Sequence, residues 1–205
     1  FSSDVSGFLD LQYRQVDYEG SGMDLGGVPL DFSDELHFLN PKAGLDYQYN
    51  ARNSCYALFG IGNREPTRND YIDAPNDAFP SHETLYNGEL GYEYRGQRKQ
   101  LKVNAYYMGY RNQLVNTGEV NDVGANIRTN VDRSYRAGLE LIGAIKLSEQ
   151  WQWQANATFS RNRILNTSYK VGGEVVERFE ETPIVLSPSV IAASDLTYEP
   201  LKGLK

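Results

Sequence analysis

The sequence predicts an all-β fold: an antiparallel meander of about eight long strands with the pattern of a transmembrane β-barrel. Three observations carry this. The first is two-residue alternation, strictest from Trp151 to Phe159. There Trp151, Trp153, Ala155, Ala157 and Phe159 share one face, and Gln152, Gln154, Asn156 and Thr158 the other. The second is the rhythm of the connections, which alternate long and short along the chain. A water-soluble sandwich has no reason to put every long loop at one end. A membrane barrel keeps short turns on one side of the bilayer and long loops on the other. The third is strand length. Several strands exceed the roughly five or six residues of globular sheets and reach the roughly 9–11 that cross a bilayer at a tilt.

Taken in order, Val5 to Tyr18 is the first strand, with Leu9, Leu11 and Tyr13 opposite Asp10, Gln12 and Arg14. Glu19 to Asp34 reads as a long loop, punctuated by Gly20, Gly22, Gly26, Gly27 and Pro29. Glu35 to Tyr49 is the second strand, where Leu39, Ala43, Leu45, Tyr47 and Tyr49 alternate with Asn40, Lys42, Asp46 and Gln48. Pro41 cannot donate to a ladder, which predicts a bulge or an unpaired edge position there. After the tight turn Asn50 to Asn53, Ser54 to Asn63 is the third strand. Arg64 to Glu83 is a long loop with Pro66, Pro75 and Pro80. Thr84 to Tyr94 is the fourth strand, Arg95 to Arg98 a tight turn, and Lys99 to Val115 the fifth strand. Asn116 to Asn126 is a polar loop. The sixth strand covers Ile127 to Lys146 and the seventh Gln150 to Arg163, joined through Ser148-Glu149-Gln150. Ile164 to Leu186 is expected to be the longest loop, centred on Gly172-Gly173 and carrying Glu174, Glu177, Glu180 and Glu181. Ser187 to Glu199 is the eighth strand, and Pro200 to Lys205 a truncated turn. No amphipathic helix of useful length appears.

Composition narrows the function classes. The chain has 205 residues and a net charge of -7, which argues against nucleic acid as a partner. Tyrosine, with 15 copies, suits strands and boundaries between water and apolar matter. A single cysteine, Cys55, rules out an internal disulfide, and two histidines, His37 and His82, are too few for a histidine-rich metal site. The opening residues Phe1 to Asp4 show neither the positive start nor the apolar run of a signal peptide. No window approaches the roughly 18 apolar residues of a membrane helix, a test that does not apply to barrel strands.

Chemistry-bearing patterns are sparse. Gly60-Ile61-Gly62 lacks the third glycine and the following helix of a phosphate loop, so it reads as a bend or close approach. Asp70, Asp73, Asn76 and Asp77 offer oxygen ligands, but without the spacing of a calcium loop they read as solvated acids. Glu89, Glu93, Glu140, Lys102 and Arg136 fall on polar strand faces, as a wet lumen requires, rather than as a hydrolytic carboxylate pair. Cys55 has no evident base partner, and no nucleophile elbow G-x-S-x-G occurs. No catalytic, metal or cofactor site is expected. Trp151, Trp153, Tyr92, Tyr94, Tyr47 and Tyr49 lie beside the short turns, where an interfacial aromatic girdle is expected ahead of the alternative, a carbohydrate-stacking platform.

Several motifs resemble one family. Asn40-Pro41-Lys42-Ala43-Gly44-Leu45, Tyr56-Ala57 through Asn63-Arg64-Glu65-Pro66-Thr67-Arg68, Glu83 to Tyr94, and Asn130 to Leu141 with Gly138-Leu139-Glu140 are similar to the barrel of TonB-dependent outer-membrane receptors of the Bacteroidetes type. The resemblance runs over nearly the whole chain and rests on the order and spacing of motifs that are individually weak. It implies a barrel of about 22 strands, of which residues 1–205 form one partial unit without the amino-terminal plug domain. It implies outer-membrane lipid as the surrounding medium, in a Gram-negative bacterium. It implies no catalysis, energy supplied by the TonB complex through the plug, and a small nutrient ligand such as a ferric siderophore; a receptor for haem, cobalamin or glycan is the alternative. The family's outer loops contact the ligand, which makes Arg64, Arg68, Tyr71, Phe79, Tyr86, Arg111, Tyr169 and Arg178 the binding candidates. A partial barrel has two unpaired edges, so an edge-paired homo-oligomer of the isolated piece is expected. Two rival architectures are a complete eight-stranded membrane barrel with a structural or adhesive role, which needs the first and eighth strands to pair, and a soluble β-sandwich binding module.

Overall fold

The computed structural model describes residues 4–23, 29–74, 79–121, 124–171 and 174–200. Among the described residues nine strands form a single antiparallel sheet: β1 (Val5–Met23), β2 (Pro29–Asn50), β3 (Asn53–Arg64), β4 (Glu83–Arg95), β5 (Lys99–Val120), β6 (Asn126–Lys146), β7 (Trp151–Val171), β8 (Glu174–Pro183) and β9 (Val190–Tyr198). Order in the sheet follows the chain from β1 to β8, and β9 pairs with the other half of β7. β8 and β9 are thus two halves of one strand. β8 pairs with Arg163–Val171 of β7, β9 with Trp151–Phe159, and residues 184–189 bridge them. Among the described residues β1 pairs with neither β8 nor β9, so the sheet is open and a closed eight-stranded barrel is not formed.

Strands run further than their side-chain patterns suggest. The expected loop from Glu19 to Asp34 is mostly ladder, pairing Tyr18 with Asp34 and continuing to Met23 opposite Pro29. Its glycines and polar residues spoil the alternation without breaking the backbone pairing that a hairpin needs. Gly26, Gly27 and Gly172-Gly173 lie outside the described residues, as does 201–205, the expected truncated turn. β8 occupies part of the expected Ile164–Leu186 loop, where acids masked a strand. Pro41 stays in register opposite Leu11 of β1, and the β2–β3 ladder runs only from Lys42 and Gly60 toward the turn, so the proline is unpaired on its β3 side alone. The β3–β4 connection contains a five-residue helix, α1 (Arg68–Ile72), that no apolar periodicity announced.

Register sorts the side chains into two faces. One line of cross-strand partners reads Gly7, Leu45, Ala57, Leu90, Ala105, Leu139, Phe159 and Val190. The next line toward the short turns reads Val5, Tyr47, Cys55, Tyr92, Val103, Leu141, Ala157 and Ala192. The opposite face carries Lys42, Asn87, Arg136, Asn162, Glu89, Asn104, Glu140 and Thr158. The usual burial rule is inverted. Leu9 is 81% and Leu90 66% exposed, while Asn104 is 9%, Asn162 7% and Ser134 3% exposed. An apolar face left bare beside a sheltered polar face is the arrangement of a sheet whose apolar side meets lipid.

Aromatics bracket the apolar face at both ends. Tyr47, Tyr92, Tyr94, Trp151, Trp153 and Tyr198 stand near the short turns, with Trp151 and Tyr198 rings 4.5 Å apart. Tyr13, Tyr86, Tyr107 and Tyr135 stand toward the long connections. From Tyr86 to Tyr94 along β4 is about 26 Å at ~3.3 Å per residue. A tilt of ~40° reduces that to about 20 Å, close to the apolar band of an outer-membrane barrel.

Candidate functional site

The polar face holds its side chains close to the wall. The Tyr56 hydroxyl donates to Asn104 Oδ1 (3.0 Å), and Asn104 Nδ2 donates to Glu140 Oε2 (3.2 Å), a chain across β3, β5 and β6. Asn87 Nδ2 donates to Glu89 (2.8 Å). On this stretch of the face the Tyr56 and Tyr106 rings lie directly over glycines of the next strand. A Cβ on Gly91 would come within 1.9 Å of Tyr56, and one on Gly138 within 2.6 Å of Tyr106 and 2.7 Å of the Phe159 carbonyl. Only glycine lets these rings lie flat and leave the space above them open. Residues 184–189 bend over the same face, tied by the Ser160 hydroxyl to the Pro188 carbonyl (3.1 Å). A hollow of 430 Å³ results, lined by Glu89, Asn104, Met108, Arg136, Glu140 and Pro188. Within it the Arg136 Nε is buried and has no hydrogen-bond partner among the described residues.

At the long-loop end, the β3–β4 connection ties two hairpins together. Glu65 pairs with Arg14 of β1 at 2.6 Å, and the Arg14 guanidinium stacks 4.9 Å from the Phe38 ring, which is only 1% exposed. Burial alone would raise the Glu65 carboxyl. The Arg14 hydrogen bonds and charge outweigh that and hold it below the ordinary carboxylate value. Tyr71 is 3% exposed, stacked on Phe32 at 4.6 Å, with its hydroxyl donating to Asp34 (2.7 Å). Burial first, and then the neighbouring Asp34 carboxylate, push that hydroxyl far above its ordinary range. On the other side Asp70, 4% exposed, accepts from Arg128 of β6 through Nε (2.8 Å) and Nη2 (2.6 Å). It also accepts from the backbone N–H and hydroxyl of Thr67, closing the first turn of α1. Asn121 donates to Asp73 and Asn130 to the Ser81 carbonyl. Asp70 and Asp73 are therefore engaged by the protein itself; Asn76 and Asp77 lie outside the described residues.

The eight candidate ligand contacts separate. Tyr71 and Phe79 meet, their rings 6.2 Å apart, but Tyr71 is packed inside the loop while Phe79 stays 55% exposed. Arg64 is ion-paired with Glu83 at 3.0 Å. Arg68, at the start of α1, and Arg178, on β8, are exposed. Tyr86 and Arg111 meet as well, with the guanidinium carbon 5.7 Å from the ring centre, but register puts both on the apolar face. Tyr169 pairs with Glu177 in the β7–β8 ladder, and its side chain lies outside the described residues. Residues that sequence reasoning left out, Arg14, Phe38, Asp34 and Arg128, organise the loop end. Their partners lie up to 61 residues away, a spacing that no local pattern reveals.

Residues 2–203 match the family model described as TonB dependent receptor-like, beta-barrel. The chain belongs to this family. No curated protein sequence matches this chain. Among solved structures it is similar to the siderophore receptor PiuA from Acinetobacter baumannii (16% identity, TM-score 0.66, 95% of this chain and 29% of that one). It is also similar to the ferric-catecholate import receptor Fiu from K12 E. coli (16%, 0.64, 97% and 30%) and the ferric yersiniabactin uptake receptor FyuA from Yersinia pestis (18%, 0.64, 94% and 28%). At these identities the likeness concerns the fold, and the chain spans less than a third of each of these three receptors. The family is one of transport receptors, not enzymes.

Proposed function

We propose that this chain is a barrel segment of a receptor in the outer membrane of a Gram-negative bacterium, and that the parent protein imports a ferric siderophore with energy from the TonB complex. The observation that carries the reading is the inverted burial: an exposed apolar face bounded by aromatics, and a sheltered polar face roofed by the β3–β4 connection. The three solved relatives named above, described as siderophore receptors or ferric import and uptake receptors, favour that cargo. Arg68, Phe79 and Arg178 are the exposed loop-end side chains we assign to ligand contact. In cells the test is uptake of a radiolabelled ferric siderophore by a strain expressing the native gene, by its deletion and by a TonB-deficient strain. Uptake lost in both of the last two supports the reading. Unchanged ferric uptake in the deletion, with loss of haem, cobalamin or glycan uptake instead, replaces the cargo and keeps the receptor.

A further inference from the structure

Toward the loop end, the apolar face turns basic across three neighbouring strands. Register places Arg111 of β5 directly opposite Arg133 of β6, and pairs Arg161 and Arg163 of β7 with Ala137 and Tyr135. All four share the parity of Leu139 and Phe159, so they point away from the polar face. Like charges directly opposed across a ladder destabilise it unless an anion lies between them. Arg161 and Arg163 have one: Glu181, opposite Leu165, forms ion pairs with both. Arg111 and Arg133 have no carboxylate partner among the described residues, and the Arg111 guanidinium lies over the Tyr86 ring. Tyr107 and Tyr135 stack beside them with ring centres 6.1 Å apart. Rings with apolar bodies and polar tips mark the depth where hydrocarbon gives way to headgroups. The guanidinium fork matches phosphate oxygens, and an anion at that depth satisfies both arginines at once.

We infer that Arg111 and Arg133 bind the phosphate of a membrane-lipid headgroup on the outside of the barrel. Arg161 and Arg163 form an adjoining basic wing held in check by Glu181. This rests on the membrane-barrel reading proposed above. It gives Tyr86 and Arg111 a role at the lipid boundary instead of at the nutrient.

The test uses the native full-length protein, reconstituted in phosphatidylcholine vesicles with and without phosphatidylglycerol, and reads the phosphatidylglycerol retained per protein after detergent extraction. Near a membrane surface each basic residue contributes roughly fivefold in affinity, so Arg111→Gln/Arg133→Gln should weaken retention about twenty-five-fold. Glu181→Gln, which frees Arg161 and Arg163, should strengthen it. Lys42→Gln/Lys102→Gln, on the polar face, should leave it unchanged. Retention within about twofold of the native protein in the double arginine variant, or complete displacement of the lipid by inorganic phosphate alone, overturns the headgroup site. Native protein that enters neither vesicle type overturns the membrane reading and the site with it. Normal insertion with unaltered retention overturns the site alone.

Discussion

Leu90→Arg tests the sidedness of the sheet most directly. Leu90 lies midway between Tyr86 and Tyr94 on β4 and is 66% exposed, so the substitution removes little protein contact. Its cost comes from whatever medium covers that face. If the medium is hydrocarbon, an arginine midway between the two aromatic girdles costs about 2–4 kcal/mol, a roughly thirty- to thousandfold shift toward the unfolded chain. Arginine at Tyr86, in the girdle, should cost only about 0–1 kcal/mol for its charge. Gln154→Arg, exposed on the polar face between the same girdles, should be nearly neutral. The assay is urea-equilibrium unfolding of the native receptor in phospholipid vesicles, together with the amount that reaches the outer membrane in cells. A graded order, Leu90→Arg well below Tyr86→Arg and Gln154→Arg, is expected. Equal stability for Leu90→Arg and Gln154→Arg would refute the claim that one face meets lipid and the other a wet lumen.

Four further outcomes are expected. Arg128→Met strands the buried Asp70 carboxylate on its Thr67 bonds alone and should cost about 3–5 kcal/mol of local stability. Asp70→Asn should abolish most of the additional effect of Arg128→Met in a double-mutant cycle read by amide exchange of residues 65–72, and strictly additive costs would refute a direct pair. The Glu65 carboxyl is held below its ordinary value of 4.5, so its contribution is present above that pH and lost as the pH falls through the depressed folded value. Amide exchange of the same segment, corrected for intrinsic rate between about pH 6 and pH 3, should rise on acidification in the native protein and lose this component in Glu65→Gln. Gly138→Ala must displace the Tyr106 ring or the Phe159 carbonyl, at about 1–3 kcal/mol, whereas Gly88→Ala meets nothing within 4 Å and should be tolerated by urea unfolding. The isolated segment, with the β1 and β9 edges open, should self-associate on light scattering in mild detergent, and a monodisperse monomer would count against edge pairing.

The sequence by itself determined the class of fold, the two faces and the short turns. Each follows from a local rule: side chains alternate every second residue, so Trp151 to Phe159 declares its apolar side without reference to any other strand. Short links such as Ser148 to Gln150 allow only antiparallel neighbours. What only the tertiary structure decided was where pairing ends and what the long connections do. β1 and β2 pair up to Met23 and Pro29 through glycines that interrupt the pattern, because a ladder is held by backbone groups that carry no side-chain signature. The last strand breaks into β8 and β9 because β7 offers two separate lengths of edge, and acids at Glu174, Glu177, Glu180 and Glu181 hid the first. Tyr71 is withdrawn from the surface and Asp70 is claimed by Arg128 through contacts between residues 58 apart for the ion pair and 37 apart for Tyr71 and Asp34. Such pairs arise only when the barrel wall brings the hairpins side by side. Arg111 and Arg133 likewise become neighbours through strand register alone, which sets one charge opposite another that lies far from it along the chain.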